Sequence, residues 1–247
     1  LQGFDMIRDP GLPYINTTSY CGPQLAFDRE KIGGGEPDGL GYSSSEWEGK
    51  LIAGNTFDYP FVHGKAIQAA GGYSFVSCSD EAIEQSLIRM EDYPIVDLIL
   101  GAEKAMLNEK MQQRIVDYTR QGGNLLVSGS YIGSILPTSL SNNVLKFSHG
   151  GSMWGVTTGN VSGANTTFTF PTQVNEKNYA VTAPDCLLPT NGSYSTFVYT
   201  PGNYGAGIAY KGSDYRTFVL GFPLESIEGT QQRTQMMKAA LGLFRSK

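Results

Sequence analysis

Short apolar runs alternate with helical patterns along much of the chain, in the order that an α/β sheet requires. Runs typical of buried strands occupy residues 50–54, 73–78, 95–100, 125–128 and 217–221. Helical spacing of apolar residues occupies 61–70, 79–90 and 108–120 between them, and 230–244 after the last strand. Strands that alternate with helices at this spacing predict parallel βαβ units, and hence an α/β fold with a doubly wound, mostly parallel sheet.

The composition and the hydrophobic pattern change between residues 144 and 215, where the alternation of strands and helices stops. The stretch is rich in Thr, Ser, Asn, Gly and aromatic residues and carries short alternating runs. We expect antiparallel β-hairpins there, inserted between the fourth and last parallel strands. Residues 1–49 are irregular and glycine-rich, which predicts a lead-in that packs on the domain or links to it. The predicted α/β domain therefore spans residues 50–247, with the β insertion at about 144–215.

Charge and hydropathy exclude two classes of partner. The 247 residues carry a net charge of −5 without a basic run, so no nucleic acid is expected as a partner. No apolar stretch approaches the roughly 20 residues that a membrane-spanning helix needs. The chain begins at Leu1 without a signal-like leader, so we expect a mature protein or a piece of a longer one.

The three cysteines do not indicate a metal site. Cys21, Cys78 and Cys186 lack the paired spacing of zinc ligands, and whether any of them pair stays open. Cys78 precedes a predicted helix N-terminus, which would lower the pKa of its thiol. No glycine-rich loop fits a phosphate-binding motif. We therefore predict neither a metal nor a cofactor.

Polar side chains follow the predicted strands, at the edge where open α/β sheets bind their ligands. The candidates for catalysis or binding are Asn55, Thr56, Asp58, His63, Glu103, Ser130, Tyr131 and Glu225. A hydroxyl nucleophile at Ser128 or Ser130 would need His63 as its base. Asp58 or Glu103 would then orient that base. The same residue types also serve as caps and turn formers, so a purely local role is the alternative.

The stretch GNLLVSGSYIGS at residues 123–134 carries a strand into a glycine-flanked turn. Together with VDLILGAE (96–103) and TFVLGFPLESI (217–227), it resembles the class I glutamine amidotransferases. The resemblance implies a flavodoxin-like sheet. The family's Gly-x-Cys-x-Gly nucleophile motif falls on residues 129–133, where Tyr131 holds the cysteine position. Its His-x-Glu motif falls on residues 223–225, where Pro223 replaces the histidine and Glu225 keeps the glutamate.

These two replacements exclude the family's chemistry. Acyl transfer by this mechanism needs a thiolate beside an imidazole. A phenol, with a pKa of about 10, cannot take the place of the thiolate at neutral pH. The resemblance therefore implies a domain that has kept the turn and lost the glutaminase activity.

Residues 53–79 (AGNTFDYPFVHGKAIQAAGGYSFVSCS), with 123–133, carry a second resemblance. They are similar to a module of secreted or surface proteins of gut anaerobes that are often labelled xanthan lyase. The resemblance implies a secreted, periplasmic or cell-surface location, a polysaccharide partner and other domains in a longer parent chain. It does not imply lyase activity, because the helical toroid of true xanthan lyases has no counterpart in this sequence.

Three functions stay open at this level. The first is a non-catalytic module of a glycan-targeting protein, acting in carbohydrate binding or domain assembly; its candidate ligand-binding residues are Asn55, Thr56, Asp58, His63, Tyr131 and Trp154. The second is a polysaccharide lyase or glycoside hydrolase that uses Asp58, His63, Glu103 and Tyr131. The third is a purely structural or oligomerisation domain. Aromatic residues also pack well in strands, so their presence alone does not indicate sugar binding.

Overall fold

The computed structural model describes residues 24–25, 51–52, 59–101, 107–153, 159–172, 180–181 and 183–245. Its helices are α1 (Tyr59–Ala70), α2 (Asp80–Glu84), α3 (Glu109–Arg120), α4 (Ile132–Ile135), α5 (Thr138–Ser141) and α6 (Thr230–Arg245). Short 3₁₀ turns cover Met90–Asp92 and Leu224–Ser226. In this part of the chain no helix is long and apolar enough to cross a membrane.

Eleven strands form three sheets in the described residues. They are β1 (Gln24–Leu25), β2 (Leu51–Ile52), β3 (Ile95–Gly101), β4 (Asn124–Gly129), β5 (Phe147–Ser152), β6 (Gly159–Gly163), β7 (Thr166–Phe170), β8 (Asp185–Pro189), β9 (Tyr194–Thr200), β10 (Tyr204–Lys211) and β11 (Arg216–Leu220). The main sheet has the order β3-β4-β11-β10-β9-β6-β7. Two antiparallel pairs, β1-β2 and β5-β8, stand apart from it.

The prediction of a doubly wound, mostly parallel sheet is wrong. Only β3-β4 and β4-β11 pair in parallel in the main sheet, whereas its other four pairings are antiparallel. The strands of the predicted hairpin insertion do not all form a separate sheet. Four of them extend the main sheet, because β11 pairs with β4 along one edge and with β10 along the other.

Two runs that predicted parallel strands also have a different structure. Of the run at residues 50–54, the structure describes Leu51 and Ile52, which form β2 and pair with β1 and not with the main sheet. Residues 73–78 form no strand, and their apolar side chains Phe75 and Val76 are exposed. A parallel strand is buried on both faces, and this segment lies instead along the side of α1. Apolar and aromatic composition alone did not distinguish the two cases.

Several other elements match their predictions. Asn108 caps α3 by accepting a hydrogen bond from the Met111 amide at 2.9 Å. Apolar spacing predicts that α6 buries Met236, Met237, Ala240, Leu241 and Phe244; the first four are buried, and Phe244 is partly buried. The helix predicted over 79–90 is shorter in the structure than predicted. It ends at Glu84, and the Leu87 side chain beyond it is exposed.

The main sheet separates two apolar cores. Successive strand residues point to opposite faces, so Ile99 and Leu126 pack beneath α1 and α6. Leu98, Leu100 and Val127 pack on the other face, beneath α3 and α4. The parallel strands are thus covered on both faces, as parallel strands require.

Strand β8 crosses this second face at unusually short range. The Asp185 amide donates to the Gly221 carbonyl at 2.7 Å, just beyond β11. A methyl group on Gly221 would lie 2.1 Å from the Asp185 carbonyl oxygen, and one on Gly205 would lie 2.0 Å from the Leu187 carbonyl oxygen. Backbone atoms cannot rotate away as a side chain can. Glycine is therefore required at both positions for β8 to reach the sheet.

We expect Gly221→Ala to lower the free energy of unfolding by about 3 kcal/mol, because the added methyl group overpacks against backbone. Gly242→Ala is the matched control. It lies on the exposed side of α6 with no heavy atom near the added methyl group. Removing a helix-interior glycine there stabilises by about 1 kcal/mol. Urea unfolding of both variants tests the contact. Equal changes in the free energy of unfolding would show that Gly221 is not in close contact with β8.

Candidate functional site

A buried histidine joins three elements at one end of the main sheet. His63 lies in α1 with only 1% of its side chain exposed. Its Nδ1 lies 2.7 Å from Asp97 Oδ2, and its Nε2 lies 3.0 Å from Glu225 Oε2. Asp97 is in β3, and Glu225 is in the 3₁₀ turn after β11. We call these three residues the histidine clamp.

The clamp favours a protonated ring. A carboxylate only accepts hydrogen bonds, so both ring nitrogens must donate, which the imidazolium form alone can do. Burial disfavours the charge and on its own lowers the pKa of His63, but Asp97 and then Glu225 outweigh it and raise that pKa to about 9. The ring is therefore cationic at neutral pH.

Local sequence explains how the three residues meet. Asp97 is the one charged residue in the apolar strand β3, on the same face as Ile99 and therefore facing α1. At the end of β3, Gly101 adopts a φ of 57°, and a methyl group there would lie 2.9 Å from the Tyr59 ring. This glycine lets the first turn of α1 close onto the strand end, where Glu225 also arrives.

The clamp is poorly suited to acid–base catalysis. A general base must be unprotonated and within reach of the proton that it removes. The His63 ring is protonated, buried, and bonded through both nitrogens to carboxylates. It cannot accept a proton from Ser128 or Ser130 in this state. The arrangement instead fixes the position of α1 against β3 and the end of β11.

The turn after β4 holds Tyr131 in a left-handed conformation, with φ 61° and ψ 2°. Such a conformation is uncommon for a residue other than glycine and is found at strained functional turns. The Tyr131 side chain, however, is buried and packs in the core beneath α3 and α4. The position that a nucleophile would occupy therefore faces the interior.

The neighbouring serines are also closed to solvent. Ser130 donates its amide to the Gly101 carbonyl at 2.7 Å, which joins the turn to the end of β3. The hydroxyls of Ser128 and Ser130 are buried, and neither has a hydrogen-bond partner in the described part of the chain. Neither residue presents an activated nucleophile.

A second polar cluster, which the sequence reasoning missed, lies beside this turn. The fully buried Asp185 accepts hydrogen bonds from the Gly133 amide at 2.6 Å and the Ser152 hydroxyl at 2.6 Å. His149 Nε2 lies 3.2 Å from Asp185 Oδ1. We call Asp185, Ser152 and His149 the β8 tether. Nothing in the spacing of these residues along the chain indicates that they meet.

The β8 tether has the residue types of a serine hydrolase and a different geometry. In a Ser-His-Asp triad, serine and aspartate bond to opposite nitrogens of the ring. Here Ser152 Oγ lies 3.4 Å from His149 Nε2, the same nitrogen that faces Asp185. Ser152 also bonds directly to the carboxylate. The cluster therefore ties β5 and β8 to the turn after β4.

The five remaining candidates lie outside the described residues: Asn55, Thr56, Asp58, Glu103 and Trp154. Within the described ranges, no three His, Cys, Asp or Glu side chains are placed to hold a metal ion.

The cysteines offer no activated thiol where the structure describes them. Burial raises the pKa of the Cys78 thiol, contrary to the lowering expected from a helix N-terminus. Burial also raises the pKa of Cys186. Both are free thiols, and Cys21 lies outside the described ranges.

Comparison with known proteins shows a shared fold. No protein-family model and no curated protein matches the sequence. A polyextremophilic beta-galactosidase from the Antarctic haloarchaeon Halorubrum lacusprofundi is similar in structure, with a TM-score of 0.54 and 13% identity over 82% of this chain. The exo-beta-1,4-mannosidase Op5Man5 from Opitutaceae bacterium strain TAV5 is similar with a TM-score of 0.53 and 10% identity over 76% of this chain. The mmIFT52 N-terminal domain is similar with a TM-score of 0.50 and 12% identity over 71% of this chain.

The extent of these likenesses differs. The chain spans 28% of the beta-galactosidase and 32% of the mannosidase, but 87% of the mmIFT52 domain. At these identities the likeness is one of fold. The same fold thus forms part of two longer enzymes and most of the mmIFT52 N-terminal domain.

The histidine clamp predicts a pH dependence of stability. The folded pKa of His63, about 9, is above the ordinary 6.5, so its contribution is complete below pH 6.5 and lost as pH rises through 9. The loss amounts to at most about 3 kcal/mol. Urea unfolding from pH 6 to 9.5 should show this decline in the unaltered protein.

Two variants isolate that contribution. We expect His63→Gln to destabilise the protein at pH 6 by about 3 kcal/mol and to remove the decline, because two buried carboxylates lose their cation. His149→Gln removes the chain's other imidazole and should keep the decline. A decline that persists in His63→Gln would show that another group causes it.

Proposed function

We propose that this chain is a non-catalytic module of a larger carbohydrate-processing protein, and that it contacts carbohydrate through exposed tyrosines of its antiparallel strands. The observation that carries the non-catalytic assignment is the buried side chain of Tyr131 at the tip of the strand-end turn. A secreted or surface location belongs to the same proposal and rests on the sequence resemblance.

The polar groups nearest that turn support the absence of catalysis. The histidine clamp is protonated and saturated by its two carboxylates. The buried hydroxyls of Ser128 and Ser130 have no described base beside them. Kinship with the class I glutamine amidotransferases remains a family hypothesis carried by residues 129–133 and 223–225, and it too predicts a domain without their reaction.

The assignment to a larger protein draws on the structural likenesses. In the beta-galactosidase and the mannosidase, the matching region is about a third of the chain or less. Proteins of both kinds process carbohydrate, and a domain of this fold accompanies their other domains. The mmIFT52 domain shares the fold as well. The fold alone therefore supports a module and leaves its ligand to be tested.

Two exposed tyrosines are the candidate contacts for a sugar. Tyr194 begins β9 and Tyr204 begins β10, and about half of each side chain is exposed. Since the strands are antiparallel, the two residues lie at opposite ends of the hairpin, about 17 Å apart. A tyrosine offers an apolar ring face and a polar hydroxyl, which complement the C–H face and hydroxyl edge of a pyranose.

Native affinity electrophoresis through gels containing xanthan or a neutral polysaccharide tests the proposal. We expect at least one polymer to retard the protein, and the double substitution Tyr194→Ala with Tyr204→Ala to abolish the retardation. Phe61→Ala is the matched control, because Phe61 is an equally exposed aromatic on α1. The polymer recovered from the gel should keep its chain length.

The other outcomes separate the remaining functions. Shortened polymer would contradict the non-catalytic assignment and favour a lyase or hydrolase. If the doubly substituted protein is still retarded, Tyr194 and Tyr204 are not the residues that contact the polymer. If no polymer retards the protein, the carbohydrate contact is wrong, and a role in assembly with neighbouring domains becomes the better hypothesis.

A further inference from the structure

A cavity of about 190 Å³ lies on the α1 face of the sheet, beside the histidine clamp. Helices α1 and α6, the segment 73–78 and the beginning of β3 enclose it. Its walls are mainly apolar and include Ile67, Ile83, Met90, Ile95, Met237 and Leu241. His63 and Asp97 also line it, and they place charge in an otherwise apolar space.

One oxygen of Asp97 is left without a partner in this setting. Its Oδ2 bonds to His63, whereas its Oδ1 is buried and has no hydrogen-bond partner in the described structure. A buried acceptor without a donor is costly, and more so when it is charged. Native proteins seldom leave such an atom unsatisfied, so an ordered water or a ligand group is expected to donate to it.

Charge favours a cationic donor. An ammonium group at Asp97 Oδ1 would make a charge-assisted hydrogen bond in which both partners carry charge. A hydroxyl group would satisfy the oxygen with a hydrogen bond in which only the acceptor is charged. A sugar fits the walls poorly, because most of its hydroxyl groups would face apolar side chains.

We propose that this cavity binds a small primary amine with an apolar body, and that the ammonium group donates to Asp97 Oδ1. The size agrees with such a ligand, since an apolar cavity of about 150 Å³ is enough to bind benzene. A cavity of about 190 Å³ holds one aromatic ring with a short alkyl chain. The site is separate from the exposed tyrosines, so it does not depend on carbohydrate binding.

Phe75 and Val76 are two exposed apolar residues of the cavity lining. The Phe75 ring rests on Gly64 of α1, and a methyl group on Gly64 would lie 2.5 Å from that ring. The close contact holds the ring against α1 at the side of the cavity.

Three probes of matched shape test the site. Phenethylamine, 2-phenylethanol and ethylbenzene share a ring and a two-carbon chain and differ in the terminal group. We titrate each into the ¹⁵N-labelled protein at pH 7 and follow the backbone amides by NMR. Phenethylamine should give saturable shifts at Gly64, Val96 and Asp97, with an affinity about tenfold above that of 2-phenylethanol. Ethylbenzene should bind most weakly.

Asp97→Asn separates the anchor from the apolar walls. This variant should lose the preference for the amine and keep its affinity for ethylbenzene. Asp92→Asn is the matched control, because Asp92 is an exposed carboxylate outside the cavity lining; it should behave as the unaltered protein does. If Asp97→Asn does not fold, the relative affinities of the three probes for the unaltered protein still test the proposal.

Three results would overturn the proposal. Shifts at these amides that do not saturate for any probe would show that the cavity takes no ligand of this class. Equal affinity for amine, alcohol and hydrocarbon would show that Asp97 Oδ1 is not the anchor. Preference for the amine that persists in Asp97→Asn would place the ammonium group elsewhere.

Discussion

The position of α1 depends on one buried cation held between two carboxylates. His63 bonds to Asp97 of β3 through one ring nitrogen and to Glu225, after β11, through the other. These strands flank β4 in the parallel part of the sheet, so the clamp spans all three parallel strands. With both acids ionised, this geometry requires that the ring carry both protons.

Such an interaction contributes more to specificity than to stability. Burying charges is costly, and a well-packed apolar cluster of the same volume is often at least as stable. A charged triad, however, is satisfied in one arrangement, because each carboxylate must meet a particular nitrogen. An alternative packing of α1 would leave a buried charge unpaired. The clamp therefore selects one placement of the helix beside the cavity.

The other face of the sheet is held by backbone contacts. Strand β8 reaches the sheet only because Gly205 and Gly221 present no side chain to it. Its Asp185 then bonds to the turn that carries Tyr131. Clamp and tether thus lie on opposite faces of the same strands, and in each the polar groups bond to one another. These bonds are the physical argument for the proposed non-catalytic role.

Sequence patterns predicted the local elements better than their pairing. The strands at β3, β4 and β11 and the helices at α1, α3 and α6 follow from apolar periodicity and capping residues such as Asn108. Periodicity does not say which strands become neighbours, so the antiparallel majority of the sheet was missed. Residues 73–78 have strand-like composition and border a cavity instead.

The site could be predicted only in part, because local sequence patterns do not show which distant residues meet. His63 and Glu225 were candidates because they follow strand ends. Asp97 was not, although a single acid in an apolar strand is a readable sign of a buried partner. The β8 tether depends on contacts between residues 36 and 52 positions apart, which no local pattern reveals.

The most direct test is the protonation state of the His63 ring. A ¹⁵N NMR titration of the ring nitrogens, assigned with the His63→Gln spectrum, reads both nitrogens at each pH. The clamp requires both to carry protons at pH 7.5 and the ring to titrate near pH 9. A ring that carries a single proton at pH 7.5, or that titrates at or below its ordinary pKa of about 6.5, would contradict the central role given to this cation.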